Sequence, residues 1–129
     1  MIRHLNKINK DLNLSKKFVI FEAGNCFEAL GLIYSKLTQN NYFSIIITDE
    51  YMPYMKGSTM IKLLKSLHKE NGFYKITFVS YTSFDTFEKK KFILDQGADH
   101  IIIKPISYEP FKLFIKSLLD EMPEYWKSI

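Results

Sequence analysis

Three short apolar runs of the chain end in side chains that can do chemistry. "IIITDEYMP" contains Asp49, "FVSYTS" contains Thr82, and "HIIIK" ends in Lys104. The carboxyl ends of parallel strands meet at one edge of a sheet, and ligands bind at that edge. If these runs are parallel strands, an acid, a hydroxyl and an ammonium converge there. Such a set can hold an anion beside a carboxylate.

Each of these residues also has a purely structural explanation. An Asp after a strand is often a turn former or a helix cap, Thr82 would cap a helix beginning near Phe84, and a Lys before Pro is usually solvated. Their conjunction at one edge favours a site, and turn-forming residues accompany them. The turn residues are Met52, Pro53, Gly57 and Pro105.

Hydrophobic periodicity predicts the elements that position these side chains. Near-continuous apolar runs at 18–21, 43–48, 75–80 and 100–104 are typical of parallel strands covered on both faces. Segments with helical spacing, such as "FEALGLIYSKL", "MIKLLKSL" and "PFKLFIKSLLDEM", lie between and after them, and another precedes them. Alternation of this kind indicates an α/β fold with an open parallel sheet and helices on both faces.

Size and composition bound the function. A chain of 129 residues is one ordinary domain. The net charge of +4 comes from lysines spread over every polar face, which argues against direct nucleic-acid binding. No apolar run approaches the roughly 20 residues that span a bilayer, so we expect no membrane insertion. Cys26 is the single cysteine and no secretory leader is recognisable, so we expect a cytoplasmic protein.

Several motifs together resemble those of response-regulator receiver domains. "IIITDEYMPYMKG" has the form of their phosphoacceptor segment: an apolar run, Asp, two residues, Met-Pro, three residues and Gly. "FVSYTS" is similar to the receiver strand that ends in Thr or Ser, and "QGADHIIIKPIS" to the last strand and its loop. "FEAGNCFEAL" is similar to the second strand and its helix. The resemblance runs from about Phe18 to Leu119.

The resemblance implies a flavodoxin-like, doubly wound sheet of strand order 2-1-3-4-5 and a function in a two-component phosphorelay. Asp49 would accept a phosphoryl group from a histidine kinase or phosphotransfer protein, possibly within the same polypeptide of a hybrid kinase. Thr82 and Lys104 would contact the phosphoryl group. Mg²⁺ would be held by Asp49 and by the backbone carbonyl of Tyr51, and the bond before Pro105 is a candidate cis peptide. The protein would be a signalling protein and not an enzyme.

The chain departs from the receiver pattern in two places. A pair of acidic residues ends the first receiver strand, and here that pair would fall at or before Met1; Asp11 lies too deep in the first helix to replace it. We therefore expect residues 1–129 to be a single, N-terminally truncated receiver-like domain without its first strand, with weak or absent Mg²⁺ binding. Receivers often have a switch Tyr or Phe three residues before the lysine, where this chain has Ile101.

Other classes of function fit less well. A haloacid-dehalogenase-type phosphatase needs a second Asp where Tyr51 stands, and a dinucleotide-binding turn needs more than Gly24. The histidines and the cysteine lack the spacing of a zinc site. The alternative that stays open is a pseudo-receiver or receiver fragment that is not phosphorylated and acts as a protein-interaction module.

Overall fold

The computed structural model describes residues 1–11, 19–39, 43–71 and 76–121. Helices and strands alternate along most of the chain, which confirms the predicted α/β class. The elements are α1 Ile2–Asp11, α2 Cys26–Thr38, β1 Ile45–Asp49, α3 Gly57–Asn71, β2 Thr77–Thr82, α4 Phe87–Asp95, β3 His100–Ile103 and α5 Tyr108–Asp120.

The chain divides into two compact units. One unit consists of Met1–Phe21 and the chain from Ile106 onward, and contains α1 and α5. The other is Glu22–Pro105, and contains the three strands with α2, α3 and α4. The residues expected to do chemistry all belong to this second unit.

The sheet of the second unit is parallel, in the order β1-β2-β3. Parallel neighbours need a crossover connection, and α3 and α4 supply the two crossovers. The order agrees with the last three strands of the expected 2-1-3-4-5 sheet. Within the described ranges β1 has a neighbour on one side only, so it is an edge strand.

The predicted strand at 18–21 is wrong for the residues that the structure describes. Val19 to Phe21 lie in no strand, and Val19 is 78% and Phe21 46% exposed. β-propensity reflects packing against neighbouring strands rather than a preference of the isolated backbone. In the expected order this segment pairs only with the first strand, and no described residue forms that strand.

One apolar cluster forms the core of the second unit. Met60, Ile61 and Leu64 of α3 are buried, as their spacing predicts. They pack with residues of the other helices, of β2 and of the turns before β2 and β3: Cys26, Ile33, Ile76, Phe78, Ile93 and Ala98. The core therefore lies between the helices and the sheet.

The turn from α4 into β3 is held by Gly97 and Asp99. Gly97 has φ +120°, a left-handed conformation that favours glycine, and it forms the turn that the sequence predicts. Asp99 forms two hydrogen bonds with Phe78 near the start of β2. The Asp99 amide donates to the Phe78 carbonyl (2.8 Å), and its Oδ2 accepts from the Phe78 amide (2.8 Å). Lys65 of α3 lies 3.2 Å from the other carboxylate oxygen.

Helix caps differ in part from the sequence expectation. α4 begins at Phe87, not near Phe84, because Thr86 accepts from the Lys89 amide (3.3 Å) and caps it. Ser107 is the N-cap residue of α5, but its hydroxyl makes no cap hydrogen bond.

The first unit pairs α1 with α5 through a tyrosine. The Tyr108 hydroxyl donates to Asp11 (2.6 Å), and the Lys7 ammonium lies 4.3 Å from the Tyr108 ring centroid. Loss of solvation and the bond to the Asp11 carboxylate raise the pKa of Tyr108 to about 12. The Asp11 carboxylate therefore accepts a hydrogen bond from a residue of its own unit. Among the helices that the structure describes, none has the length and apolarity needed to cross a membrane.

Candidate functional site

The three expected residues stand at the ends of adjacent strands. Asp49 is the last residue of β1, Thr82 is the last of β2, and Lys104 directly follows β3. Asp49 is opposite Tyr81 in the register, and Tyr81 is opposite Ile102. Because the strands are parallel, their carboxyl ends bring these residues to one edge of the sheet.

Asp49 and Lys104 form an ion pair at this edge. The Lys104 Nζ lies 2.5 Å from Asp49 Oδ1, with the side chains 37% and 47% exposed. The same ammonium lies 5.0 Å from the ring centroid of Tyr81. Because both members of the pair face solvent, the attraction is screened and modest. The carboxylate stays accessible to a reagent from solution, with a positive charge beside it.

Thr82 is tied to the lysine through the backbone. Its carbonyl accepts a hydrogen bond from the Lys104 amide (2.8 Å), and the residue is only 3% exposed. Its hydroxyl accepts from the Phe84 amide (3.2 Å). A hydroxyl both donates and accepts, and this bond uses its acceptor side. The Lys104-Pro105 peptide bond is cis, as the resemblance implies.

A close turn carries the chain from Asp49 into α3. The Gly57 amide donates to the Glu50 carbonyl (2.9 Å), which closes the loop through Met52 and Pro53. A Cβ on Gly57 would overlap the carbonyl oxygen of Asp49, so only glycine fits. The Thr48 hydroxyl donates to that same oxygen (3.0 Å). The backbone of Asp49 is therefore held from two sides.

Glu50 faces away from the ion pair. It is 6% exposed, its Oε1 accepts from the Ser58 amide (2.7 Å), and its Oε2 accepts from the Ser58 hydroxyl (2.9 Å). Strand alternation indicates that Glu50 cannot share a ligand with Asp49, and this geometry agrees. The bond to Ser58 was not foreseen, since only a serine at the start of the next helix hints at it.

An aromatic pair lies in the loops just beyond Asp49 and Thr82. The rings of Tyr51 and Phe84 meet edge to face, with centroids 5.0 Å apart, and join the loops that follow β1 and β2. The Lys89 ammonium lies 4.8 Å from the Phe84 centroid. Neither loop's sequence indicates this ring pair, nor the position of the Tyr81 ring near the Lys104 ammonium.

The described residues do not form a complete Mg²⁺ site. Mg²⁺ takes six oxygen ligands in near-octahedral geometry. Asp49 offers one carboxylate that already contacts an ammonium, and the Glu50 carboxylate is used at Ser58. Across the described ranges, no group of three or more His, Cys, Asp or Glu side chains is placed to hold a metal ion. The resemblance implies one further oxygen, from the backbone carbonyl of Tyr51, and the described donor set is then still short of acids.

Ile101 stands where receivers often have the switch Tyr or Phe, and its aliphatic side chain points into the core. Ile101 is half-buried and packs against the core cluster. A β-branched side chain fixed in this way has no ring to rotate between the surface and the site.

Comparisons with known proteins place the chain in a family. The family model described as the response regulator receiver domain matches residues 3–116. "Histidine kinase P4" of Formosa agariphila is 36% identical over 107 residues, which is 83% of this chain and 7% of that protein. The chain thus spans a small part of the length of this curated relative.

Solved structures show the same fold. A two-component response regulator from Clostridium difficile superposes with a TM-score of 0.73 at 23% identity, covering 94% of this chain and 88% of that one. A CheY-like receiver domain protein from Methanospirillum hungatei JF-1 has a TM-score of 0.68 at 22% identity, covering 93% and 85%. Both have the expected flavodoxin-like fold. Since its motifs, its sheet and the family model agree, the chain belongs to the response regulator receiver domain family of two-component signalling.

Proposed function

We propose that the chain is a phosphorelay receiver in which Asp49 accepts a phosphoryl group. One observation carries the proposal: the Asp49 carboxylate ends β1 with the Lys104 ammonium 2.5 Å from its Oδ1. A solvent-facing carboxylate can act as a nucleophile, and an adjacent ammonium can stabilise negative charge that develops on phosphoryl oxygens.

In the proposed reaction, an Asp49 oxygen attacks the phosphorus of a phosphohistidine in line with the breaking bond. The O–P bond forms as the N–P bond breaks, and the imidazole leaves with the electron pair and takes up a proton. The Lys104 ammonium passes from the carboxylate to a phosphoryl oxygen. The Thr82 hydroxyl, whose oxygen accepts from the Phe84 amide, donates its hydrogen to another phosphoryl oxygen. Positioning and charge supply most of the catalysis in such transfers.

The proposed phosphodonor is a histidine kinase or a phosphotransfer protein. The relative of 36% identity is named a histidine kinase, which favours a hybrid kinase in which donor and receiver share one polypeptide. Receiver domains are typically signalling modules without an enzymatic turnover of their own. We propose that this one is such a module and acts in the cytoplasm.

Receiver domains generally bind Mg²⁺ in an acidic pocket. We propose that residues 1–129 form a single receiver-like domain whose Mg²⁺ affinity is weak, because the part of the chain that the structure describes offers the site no carboxylate besides Asp49. Among the described residues β1 is an edge strand, and a further parallel strand ending in acids would complete both sheet and site there. Calorimetric titration with Mg²⁺ checks this, using the chain alone and, where the reading frame stays open, extended upstream. Equal affinity in the two forms would contradict it.

Phosphorylation is tested by incubating the chain with acetyl phosphate and mapping the label by mass spectrometry. We expect label on Asp49, lost in Asp49→Asn. Asp95→Asn is the matched control, because Asp95 is also an exposed acid paired with a lysine, 3.0 Å away. It should label normally.

The alternative is a pseudo-receiver that acts as a protein-interaction module. This alternative is favoured because, among the described residues, no group of three or more potential metal ligands surrounds Asp49. Two results would overturn phosphorylation at Asp49. One is a folded chain that takes no label, alone or extended upstream, and the other is a label that remains in Asp49→Asn. In the first case the interaction module becomes the better account.

A further inference from the structure

Glu50 is a buried carboxylate that the proposed transfer does not use. Both of its oxygens bond to one residue, Ser58, at 2.7 and 2.9 Å, and the residue is 6% exposed. Burying a carboxylate is costly unless hydrogen bonds compensate, so this arrangement needs a reason.

The first effect of these bonds is on α3. The first amides of a helix have no intrahelical acceptor, and the positive end of the helix dipole lies there. α3 begins at Gly57 and has no acid in its first turn. Glu50 therefore supplies, from outside the helix, the charge and the acceptor that a capping side chain normally provides.

The second effect is on the acceptor residue. Glu50 directly follows Asp49, so anchoring its side chain to α3 anchors the peptide that joins the two residues. The Gly57 amide closes the same loop on the Glu50 carbonyl (2.9 Å), and Gly57 packs on the Asp49 carbonyl. The Asp49 backbone is thus clamped between its strand and the start of α3.

We propose that Glu50 is a positioning residue for Asp49, acting through its bonds to Ser58. Nucleophilic transfer depends steeply on geometry, and a misplacement of about 1 Å can cost about 100-fold in rate. Release of the clamp lets the Asp49 peptide move relative to Lys104 while the ion pair can still form. This inference rests on the proposed phosphorylation of Asp49.

The test compares Glu50→Ala, Ser58→Ala, their double variant and Glu50→Gln. Labelling rates with acetyl phosphate are measured at a temperature at which circular dichroism shows every variant folded. We expect Glu50→Ala to label about tenfold more slowly. This is less than the loss of about 100-fold that a misplacement of about 1 Å can cause. The double variant should be no slower than Glu50→Ala, because coupled residues are not additive. Ser58→Ala removes only the hydroxyl bond and keeps the bond from the Ser58 amide. It therefore tests the inference even if Glu50→Ala fails to fold.

Glu50→Gln separates positioning from general destabilisation. Its amide oxygen can still accept from the Ser58 amide, so we expect most of the rate to return. Glu88→Ala is the matched control, because Glu88 is an exposed first-turn acid of α4, and it should label as the wild type does.

Three results would overturn the inference. They are a folded Glu50→Ala that labels at the wild-type rate, additive losses in the double variant, and a Glu50→Gln as slow as Glu50→Ala. An unlabelled wild-type chain would defeat the proposed function and this inference with it. A labelled wild type with unaffected Glu50 variants would defeat only the inference.

Discussion

Replacing Gly57 by alanine tests how tightly the acceptor loop is packed against α3. The added Cβ would overlap the Asp49 carbonyl oxygen and lie 3.0 Å from its carbon and 3.1 Å from the Thr48 hydroxyl. These neighbours are backbone atoms or a buried side chain, so none of them can turn aside. The helix start and the strand end must move apart.

The cost follows from the bonds that the movement breaks. The Gly57 amide loses its 2.9 Å bond to the Glu50 carbonyl, and both groups lie in a buried part of the loop. A buried polar group left unsatisfied costs about 1–3 kcal/mol. The loop relaxes in part, so loss of the bond between the Gly57 amide and the Glu50 carbonyl should lower the free energy of unfolding by about 2–4 kcal/mol. Since 1 kcal/mol corresponds to about 3–5 °C for a domain of this size, the melting temperature should fall by roughly 10 °C.

Gly31→Ala is the matched control. Gly31 lies inside α2, is exposed, and has nothing within 4 Å of where a Cβ would stand. Alanine in a helix interior is favoured over glycine by roughly 0.5–1 kcal/mol, so this variant should melt slightly higher. Thermal unfolding followed by circular dichroism measures both variants.

The two substitutions are expected to change the melting temperature in opposite directions. If Gly57→Ala melted within a degree or two of the wild type, the loop would not be packed on the helix as described. If both variants lost stability equally, the effect would belong to glycine replacement in general and not to the contact with Asp49.

Three further changes test the site and its frame. Lys104→Ala should leave the unfolding free energy within about 1 kcal/mol of the wild type, because its ion pair is exposed, yet it should slow labelling of the acceptor carboxylate by acetyl phosphate. Asp99→Ala strips the buried Phe78 amide of its acceptor and should cost about 1–3 kcal/mol in urea unfolding, whereas Asp99→Asn keeps an acceptor and should cost less. Tyr51→Ala removes one ring of the pair that joins the loops after β1 and β2, so we expect looser loops, easier access of water to Asp49 and severalfold faster hydrolysis of the acyl phosphate. Tyr34→Ala, an equally exposed tyrosine on α2, should leave that lifetime unchanged.

Each of these expectations has a contrary result. An unfolded Lys104→Ala would make the lysine a structural residue. Equal losses for the two Asp99 variants would show that its charge, and not its acceptor, matters. An acyl phosphate with the same lifetime in Tyr51→Ala would show that the ring pair does not limit the access of water to Asp49.

The sequence by itself determined the type of most elements and the edge of the sheet at which the chemical side chains lie. The helical spacing of Met60, Ile61 and Leu64 places them in the core, because a period of 3.6 residues puts apolar side chains on one face. The apolar runs ending near Asp49 and Lys104 form parallel strands, whose carboxyl ends meet at one edge. These are properties of local pattern, and the receiver family followed from the motifs at that edge.

The tertiary structure decided which side chains meet. The Ser58 bonds of Glu50 join residues eight positions apart that become neighbours only when the loop closes. The aromatic pair of Tyr51 and Phe84 joins loops from two strands, and no spacing within either loop reveals it. Val19 to Phe21 show the converse: a segment with strand composition forms no strand, because pairing depends on a neighbouring strand that composition cannot supply.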